Sequence, residues 1–472
     1  MRSVLIDIVI GYNLAVLLYF LLINFSYFIL LLLAAERLIY FKRRRGIRVC
    51  RQKECVLAPS VAALMPVYNE ELTIVNSVLS LQQIEYPGLE IIIVNDGSKD
   101  ETLGRLKEEF KLVASPRVVK GDIEIKPIRG VYRSAVDERL VVIDKENGGK
   151  ADALNAGVHY SRSQLYCAID ADSIIEKDAV KKLVQSYLER KAKVVGVGGI
   201  VRVANGSVIE GAEVREARLP RKFLPAMQVM EYIRAFLCGR TGWSKLGSLL
   251  IISGAFGLFE RKSVIQAGGY RSETVGEDME LVVRLHRQRT RRKKPHMVTF
   301  VPDPVCWTQV PEKLRSLGAQ RNRWHRGLIQ TITHHWGMLF NPRYGTVGLI
   351  GMPFYLFFEM IGPLIEITGY AVLILAWIFG ILNWKYAILF FVLAVLFGVI
   401  LSLFSLLLEE FTVKRYGRGK DIARLFLLAV IENFGYRQLT SWWRLTAFFG
   451  LRRKRRAWGE MKRKAFTEEE SK

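Results

Sequence analysis

Hydrophobic and polar positions divide the chain into three regimes. From Ile8 to Ala35 no charged residue interrupts an apolar stretch; a bilayer core of about 30 Å needs about 20 helical residues, so this stretch predicts one transmembrane helix. Between it and residue 345 no stretch is apolar enough to span. Short runs there, Val61 to Met65, Glu90 to Val94, Leu140 to Ile143, Leu165 to Ile169 and Val194 to Val201, alternate with helical patterns. That alternation predicts an α/β domain built on a mostly parallel sheet. Past residue 345 the chain turns apolar again, and Pro363 to Leu382 and Ala387 to Leu408 flank a turn at Asn383 and Trp384, which predicts a transmembrane hairpin. Val347 to Ile361 carries Glu359, and Leu425 to Phe449 carries Glu432, Asn433 and Arg437. Such groups are costly against lipid, so each of these segments is expected to face protein or to lie in the interface. Between Phe223 and Leu237 the apolar residues fall at helical spacing opposite Glu231 and Arg234, which predicts a helix packed on the core.

The resulting organisation is an N-terminal transmembrane helix with a basic flank (1–45), an α/β domain (46–345), C-terminal transmembrane and interfacial helices (346–451) and a basic tail (452–472). Half of all positions are apolar, and 69 Lys and Arg against 45 Asp and Glu give a formal charge of +24. This excludes a disordered chain and an ordinary soluble enzyme, and calls for an acidic partner, either nucleic acid or anionic lipid. Positives cluster at Lys42 to Arg45, Arg287 to Lys294 and Arg452 to Arg456, and the first and last clusters abut apolar stretches, so membrane lipids are expected and nucleic acid is not. The basic flank after Ala35 also argues against a cleaved signal peptide and places the N-terminus outside. Cytosolic placement of Lys414 to Lys420 and of the tail follows if the hairpin spans and both ambiguous segments are interfacial. The five cysteines form no C-x-x-C pair, so neither a disulfide framework nor a zinc site is expected.

In parallel sheets ligands bind at the carboxyl ends of strands, and those ends are polar here. One run ends in Asn95-Asp96-Gly97-Ser98, which a capped glycine turn explains equally well. Another ends in Asp170-Ala171-Asp172; carboxylates two apart on an extended segment address one point, as a hard cation such as Mg2+ or Mn2+ requires. Asn147-Gly148-Gly149-Lys150 offers glycines, a lysine and a helix start to phosphate oxygens without P-loop spacing, so an ATPase is not expected. Glu277-Asp278 before Met279 is either a helix cap or an acid/base pair. His325 reads as a neutral hydrogen-bonder beside Arg323 and Arg326, and His334 and His335, lacking i, i+4 spacing, read as structural.

With Gln320-Arg321-Asn322-Arg323-Trp324, the Asp96, Asp170-Ala171-Asp172 and Glu277-Asp278 motifs stand in order at separations of 74, 106 and 42 residues. In these motifs the chain resembles the membrane-embedded family 2 glycosyltransferases, the group of cellulose, chitin, hyaluronan and poly-N-acetylglucosamine synthases. The resemblance covers about Val61 to Gly327 well and the flanking segments loosely. It implies a GT-A, Rossmann-like cytosolic domain flanked by transmembrane and interfacial helices, in a multi-pass protein of a bacterial-type plasma membrane. It further implies that Asp96 contacts the nucleotide base, that Lys150 and Asp170 face the diphosphate, and that Asp172, with Asp170, holds Mg2+ or Mn2+. Asp278, beside Glu277, is implied as the general base, Arg323 as the brace of the departing diphosphate, and Trp324 as the acceptor's aromatic platform, with Gln320 and Arg321 framing the same loop. Two features depart from relatives: Gly276 stands where many have Thr, and the acceptor-side segment Ile252 to Gly257 contains Ser253 and Gly254, small residues that let a sugar approach the backbone.

The implied activity is an inverting, processive, metal-dependent transfer of a hexose from a UDP-sugar of glucose or N-acetylglucosamine type onto a growing polysaccharide. The few predicted spans then call for a homo-oligomer or a small accessory subunit to complete a channel. The alternative is single transfer to a lipid acceptor. A catalytically dead scaffold is disfavoured, because every expected acidic residue is present.

Overall fold

The computed structural model describes residues 2–48, 58–116, 121, 123–189, 192–210, 213–291 and 296–450. Cys50, Cys55, part of the 287–294 basic run and the whole 452–472 tail lie outside the described residues. The strands in chain order are β1 (Val61–Val67), β2 (Glu90–Asn95), β3 (Leu112–Ala114), β4 (Ile128–Ser134), β5 (Leu140–Lys145) and β6 (Leu165–Ile169). They continue with β7 (Ser173–Ile175), β8 (Lys193–Val203), β9 (Val208–Glu210), β10 (Glu213–Glu216), β11 (Phe256–Glu260) and β12 (His296–Thr308). Ten form one sheet in the order β3-β4-β5-β2-β1-β6-β11-β8-β12-β7, and β9 and β10 make a separate hairpin.

The five predicted apolar runs became β1, β2, β5, β6 and β8. Four of these, β5-β2-β1-β6, run parallel, with Ala62 opposite Glu90 and Val61 opposite Leu165. Near-continuous apolar sequence follows from burial on both faces, and Ala62 to Met65 are fully buried. The strands not foreseen are short or interrupted by polar residues, such as β4, Ile-Arg-Gly-Val-Tyr-Arg-Ser, which pairs antiparallel to β5 toward the sheet edge. Strand β11 enters antiparallel between β6 and β8 and brings the Ser253-Gly254 turn against the carboxyl end of β6.

Among the described residues three helices are long and apolar enough to cross a membrane: Ile6–Arg43, Val347–Ile378 and Trp384–Thr412. Val347 to Ile361, expected either to span while facing protein or to lie in the interface, forms the first half of the second of these. At 1.5 Å per residue a helix of 32 residues is about 48 Å long, more than a bilayer core, and it bends at Ile361, just before Pro363. Leu425 to Phe449 breaks at Gly435, whose φ of +89° ends helix Gly419–Ile431 and starts helix Tyr436–Phe449. The carboxylates of these segments face protein: Glu359 accepts from Tyr27 and Arg444, Glu366 from Ser441, and Glu432 from Ser402 and Arg234. Helix Phe223–Tyr232 packs on the core as expected and continues as a π-helical stretch, Ile233–Arg240, against the N-terminal helix. A buried ion pair, Arg202 on β8 to Glu409 near the end of the third long helix (2.8 Å), ties the sheet to the apolar helices.

Candidate active site

The glycine turn after β5 leads into helix Lys150–Tyr160. Its N-cap Gly149 has φ +88°, which only glycine adopts without strain. Lys150 then projects across the carboxyl end of β6, where its ammonium pairs with Asp170 and lies 3.9 Å from Glu277 Oε1. Burial works against that charge, but Asp170 and Glu277 outweigh it and hold the amine above the ordinary lysine value. Asp170 follows β6 with its carboxylate partly open to a cavity, and Asp172 is buried beside it. Burial, reinforced by the Asp170 charge, pushes the Asp172 carboxyl up to about 7. Two carboxylates crowded into one buried corner are stabilised by a cation, so this donor set fits a hard divalent metal.

Glu277 and Asp278 open helix Glu277–Arg291. Burial, opposed by Lys150 and aided by Asp278, pushes Glu277 up to about 7. Asp278 is oriented by two backbone donors, Gly254 N–H to Oδ2 (3.1 Å) and Met279 N–H to Oδ1 (2.8 Å). A Cβ at Gly254 would stand 2.9 Å from the Lys150 ammonium and 3.7 Å from Asp278, so a larger residue there would displace the ammonium.

Gln320 to Trp324, expected on a loop, lies inside the helix Leu314–His334. Leu317, Arg321, His325, Leu328 and Ile332 are all buried at helical spacing, which fixes the segment as a helix. Gln320, Arg323, Trp324 and Gly327 then fall at i, i+3, i+4 and i+7 on one face and line the cavity, with Trp324 44% exposed. Arg321 is committed elsewhere, paired with Glu231 (2.7 Å) and stacked on the Trp324 ring at 4.3 Å, so it holds that ring in place. Every site residue expected from sequence, Asp96 through Trp324, lines this one cavity of about 1710 Å³.

The family model for Glycosyl transferase family 2 matches residues 62–244, and that for Glycosyl transferase family group 2 matches residues 167–401. The chain belongs to the family 2 glycosyltransferases. It is 28% identical over 294 residues to the poly-beta-1,6-N-acetyl-D-glucosamine synthase of Staphylococcus aureus, covering 61% of this chain and 60% of that protein. The synthase of Staphylococcus epidermidis is 28% identical over 267 residues, 57% of this chain and 54% of that protein. The chain thus spans about 60% or less of the length of these curated relatives. Its fold is similar to that of a mannosyltransferase, PcManGT from Pyrobaculum calidifontis, solved in complex with GDP-Man and Mn2+, at a TM-score of 0.51 and 17% identity over 89% of this chain and 99% of that one.

The glycosyltransferase site also contains groups that sequence reasoning passed over. Lys145, fully buried at the end of β5, pairs with Asp96 (2.7 Å) and with Asp152. Asp96 additionally accepts from the N–H groups of Gly148 (3.0 Å) and Gly149 (2.7 Å), so it fixes the turn that aims Lys150. The available signal was a lysine that, after Asp144, closes the apolar run Leu140 to Ile143. His325 behaves as expected: burial, with Arg444 nearby, pulls it down to about 3, so the ring is neutral. His334, His335 and Glu280 lie close enough to share an ion. Glu280, however, already holds Arg284 at 2.7 Å and His335 at 3.1 Å, with Arg271 at 3.6 Å, and two guanidiniums leave no role for a cation.

The departure at Gly276 has a packing cause. Its Cβ would stand 2.8 Å from the Cα of Gly327, so the turn carrying Glu277 and the helix carrying Trp324 meet backbone to backbone. Gly276→Thr, the residue of many relatives, is expected to cost about 1–3 kcal/mol by overpacking. A lowered melting temperature of the purified protein checks this, and an unchanged one would show that the two backbones separate freely.

Proposed function

We propose that this enzyme transfers a hexose, with inversion, from a UDP-sugar of glucose or N-acetylglucosamine type to the end of a growing polysaccharide. Its catalytic domain faces the cytosol, and its three long apolar helices span the plasma membrane with the N-terminus outside. The carrying observation is the continuity of one cavity. It contains Asp278 and Trp324 and runs on past Tyr19 and Tyr27 of the first long helix, Pro363 and Glu366 of the second, and Leu401 and Ser405 of the third. An acceptor placed over Trp324 therefore has a path of polar and apolar side chains between the membrane helices. The polymer named in the staphylococcal relatives supports the same reading.

In this reading Asp278 takes the proton of the acceptor hydroxyl as that oxygen attacks the anomeric carbon. Lys150 and Arg323 stabilise charge growing on the departing diphosphate. Asp172 and Asp170 would hold Mg2+ or Mn2+, which neutralises that diphosphate when bound; the Mn2+ of the structurally similar mannosyltransferase supports a divalent cation. Asp96 serves the nucleotide side through the turn it fixes, and Ser253 and Gly254 give the acceptor close access to the backbone.

Incubating the purified chain with UDP-glucose or UDP-N-acetylglucosamine and Mg2+ or Mn2+, then sizing the product, tests this. A ladder of polymer is expected. A single glycolipid would replace the polymer reading with single transfer to lipid, and absence of both transfer and donor consumption would overturn both.

A further inference from the structure

Guanidinium groups around the membrane half of the cavity are for the most part neutralised by protein. Arg321 holds Glu231 at 2.7 Å, Arg444 holds Glu359 at 2.9 Å, and Arg234 holds Glu432. Arg437 makes no ion pair among the described residues, yet none of its nitrogens is buried without a partner. Arg240 differs. It lines the same cavity from the end of the π-helical stretch, yet among the described residues no carboxylate pairs with it, and its Nη1 is buried without an acceptor. The Phe236 ring lies against it, with the guanidinium carbon 3.7 Å from the centroid. Burial pulls the group down to about 10. Asp278 is engaged by the Gly254 and Met279 N–H groups and makes no ion pair with it.

A desolvated cation without a counter-charge is costly to maintain, and a ligand that brings the missing charge repays that cost. Stacking on Phe236 fixes the guanidinium plane, and its N–H edge matches the two oxygens of a carboxylate or phosphate. The stretch that carries Arg240 packs against the first and third long helices, which puts it on the membrane side of the cavity, along the acceptor path proposed above.

We propose that Arg240 binds an oxyanion carried by the acceptor, a sugar-acid carboxylate or a lipid phosphate, and so makes this enzyme selective for anionic acceptors. The inference rests on the acceptor side assigned above, and its test is equilibrium binding, which does not require turnover. The full chain in phosphatidylcholine nanodiscs is titrated by calorimetry with methyl β-D-glucuronide against methyl β-D-glucoside, and with farnesyl phosphate against farnesol. At least one anionic probe should bind about 10- to 100-fold more tightly than its neutral counterpart, the range one charge-assisted hydrogen bond confers. Preference for the glucuronide alone identifies a sugar acid as the source, and preference for farnesyl phosphate alone identifies a lipid.

Arg240→Met should abolish the preference, and Arg240→Lys should retain part of it. Because no carboxylate is left unpaired, Arg240→Met should keep its melting temperature, whereas an arginine with only a structural role would lower it. Equal binding within both pairs, or a preference that survives in Arg240→Met, overturns the proposal. A preference in a chain that transfers no sugar would uphold this inference while sinking the proposed function.

Discussion

Asp278→Asn should lower turnover by about 10²- to 10⁴-fold, the contribution of a positioned general base, while UDP affinity stays close to that of the unaltered protein. The amide preserves the shape of the side chain, and its oxygen can still accept from Gly254 N–H. It cannot take a proton from an acceptor hydroxyl. Single-turnover transfer with radiolabelled donor gives the first quantity and calorimetric titration with UDP the second. Turnover within a factor of three of the starting protein would remove Asp278 from the role. A parallel loss of UDP affinity would instead assign it to donor binding. Glu277 provides the contrast, since its carboxyl is engaged with the Lys150 ammonium, and Glu277→Gln should weaken the diphosphate side.

Lys145→Met should destabilise the protein by about 3–5 kcal/mol, because removing one partner of a buried ion pair strands the others. Here two carboxylates, Asp96 and Asp152, share one fully buried ammonium. Thermal unfolding in detergent should show a fall on the order of 10 °C, using the usual scaling for a domain of this size. Adding Asp96→Asn and Asp152→Asn to Lys145→Met should recover part of the loss by removing the stranded charges. A melting temperature that does not move with Lys145→Met would mean that water reaches the three groups.

Much of this architecture was legible in the sequence because its signals are local. Strands β1, β2, β5, β6 and β8 are buried on both faces and declare themselves as apolar runs, and the aspartates that follow β2 and β6 sit where parallel sheets place ligands. Strand β4 was not legible, since a half-exposed strand near a sheet edge needs only alternate apolar residues and tolerates glycine. The helical setting of Gln320 to Trp324 was missed because the motif is polar and its apolar anchors, Leu317, Leu328 and Ile332, lie outside it. The role of Lys145 and the commitment of Arg321 to Glu231 depend on partners 49 and 90 residues away, which no local pattern reports.

The Arg202–Glu409 pair constrains how this enzyme can be dissected. A fragment ending before the apolar helices would carry an orphaned guanidinium near the carboxyl end of strand β8 and would be expected to misfold or aggregate. Exchanging catalytic domains between family 2 glycosyltransferases to change product therefore demands that both ends of this contact travel together, with the apolar helices chosen to suit the donor domain.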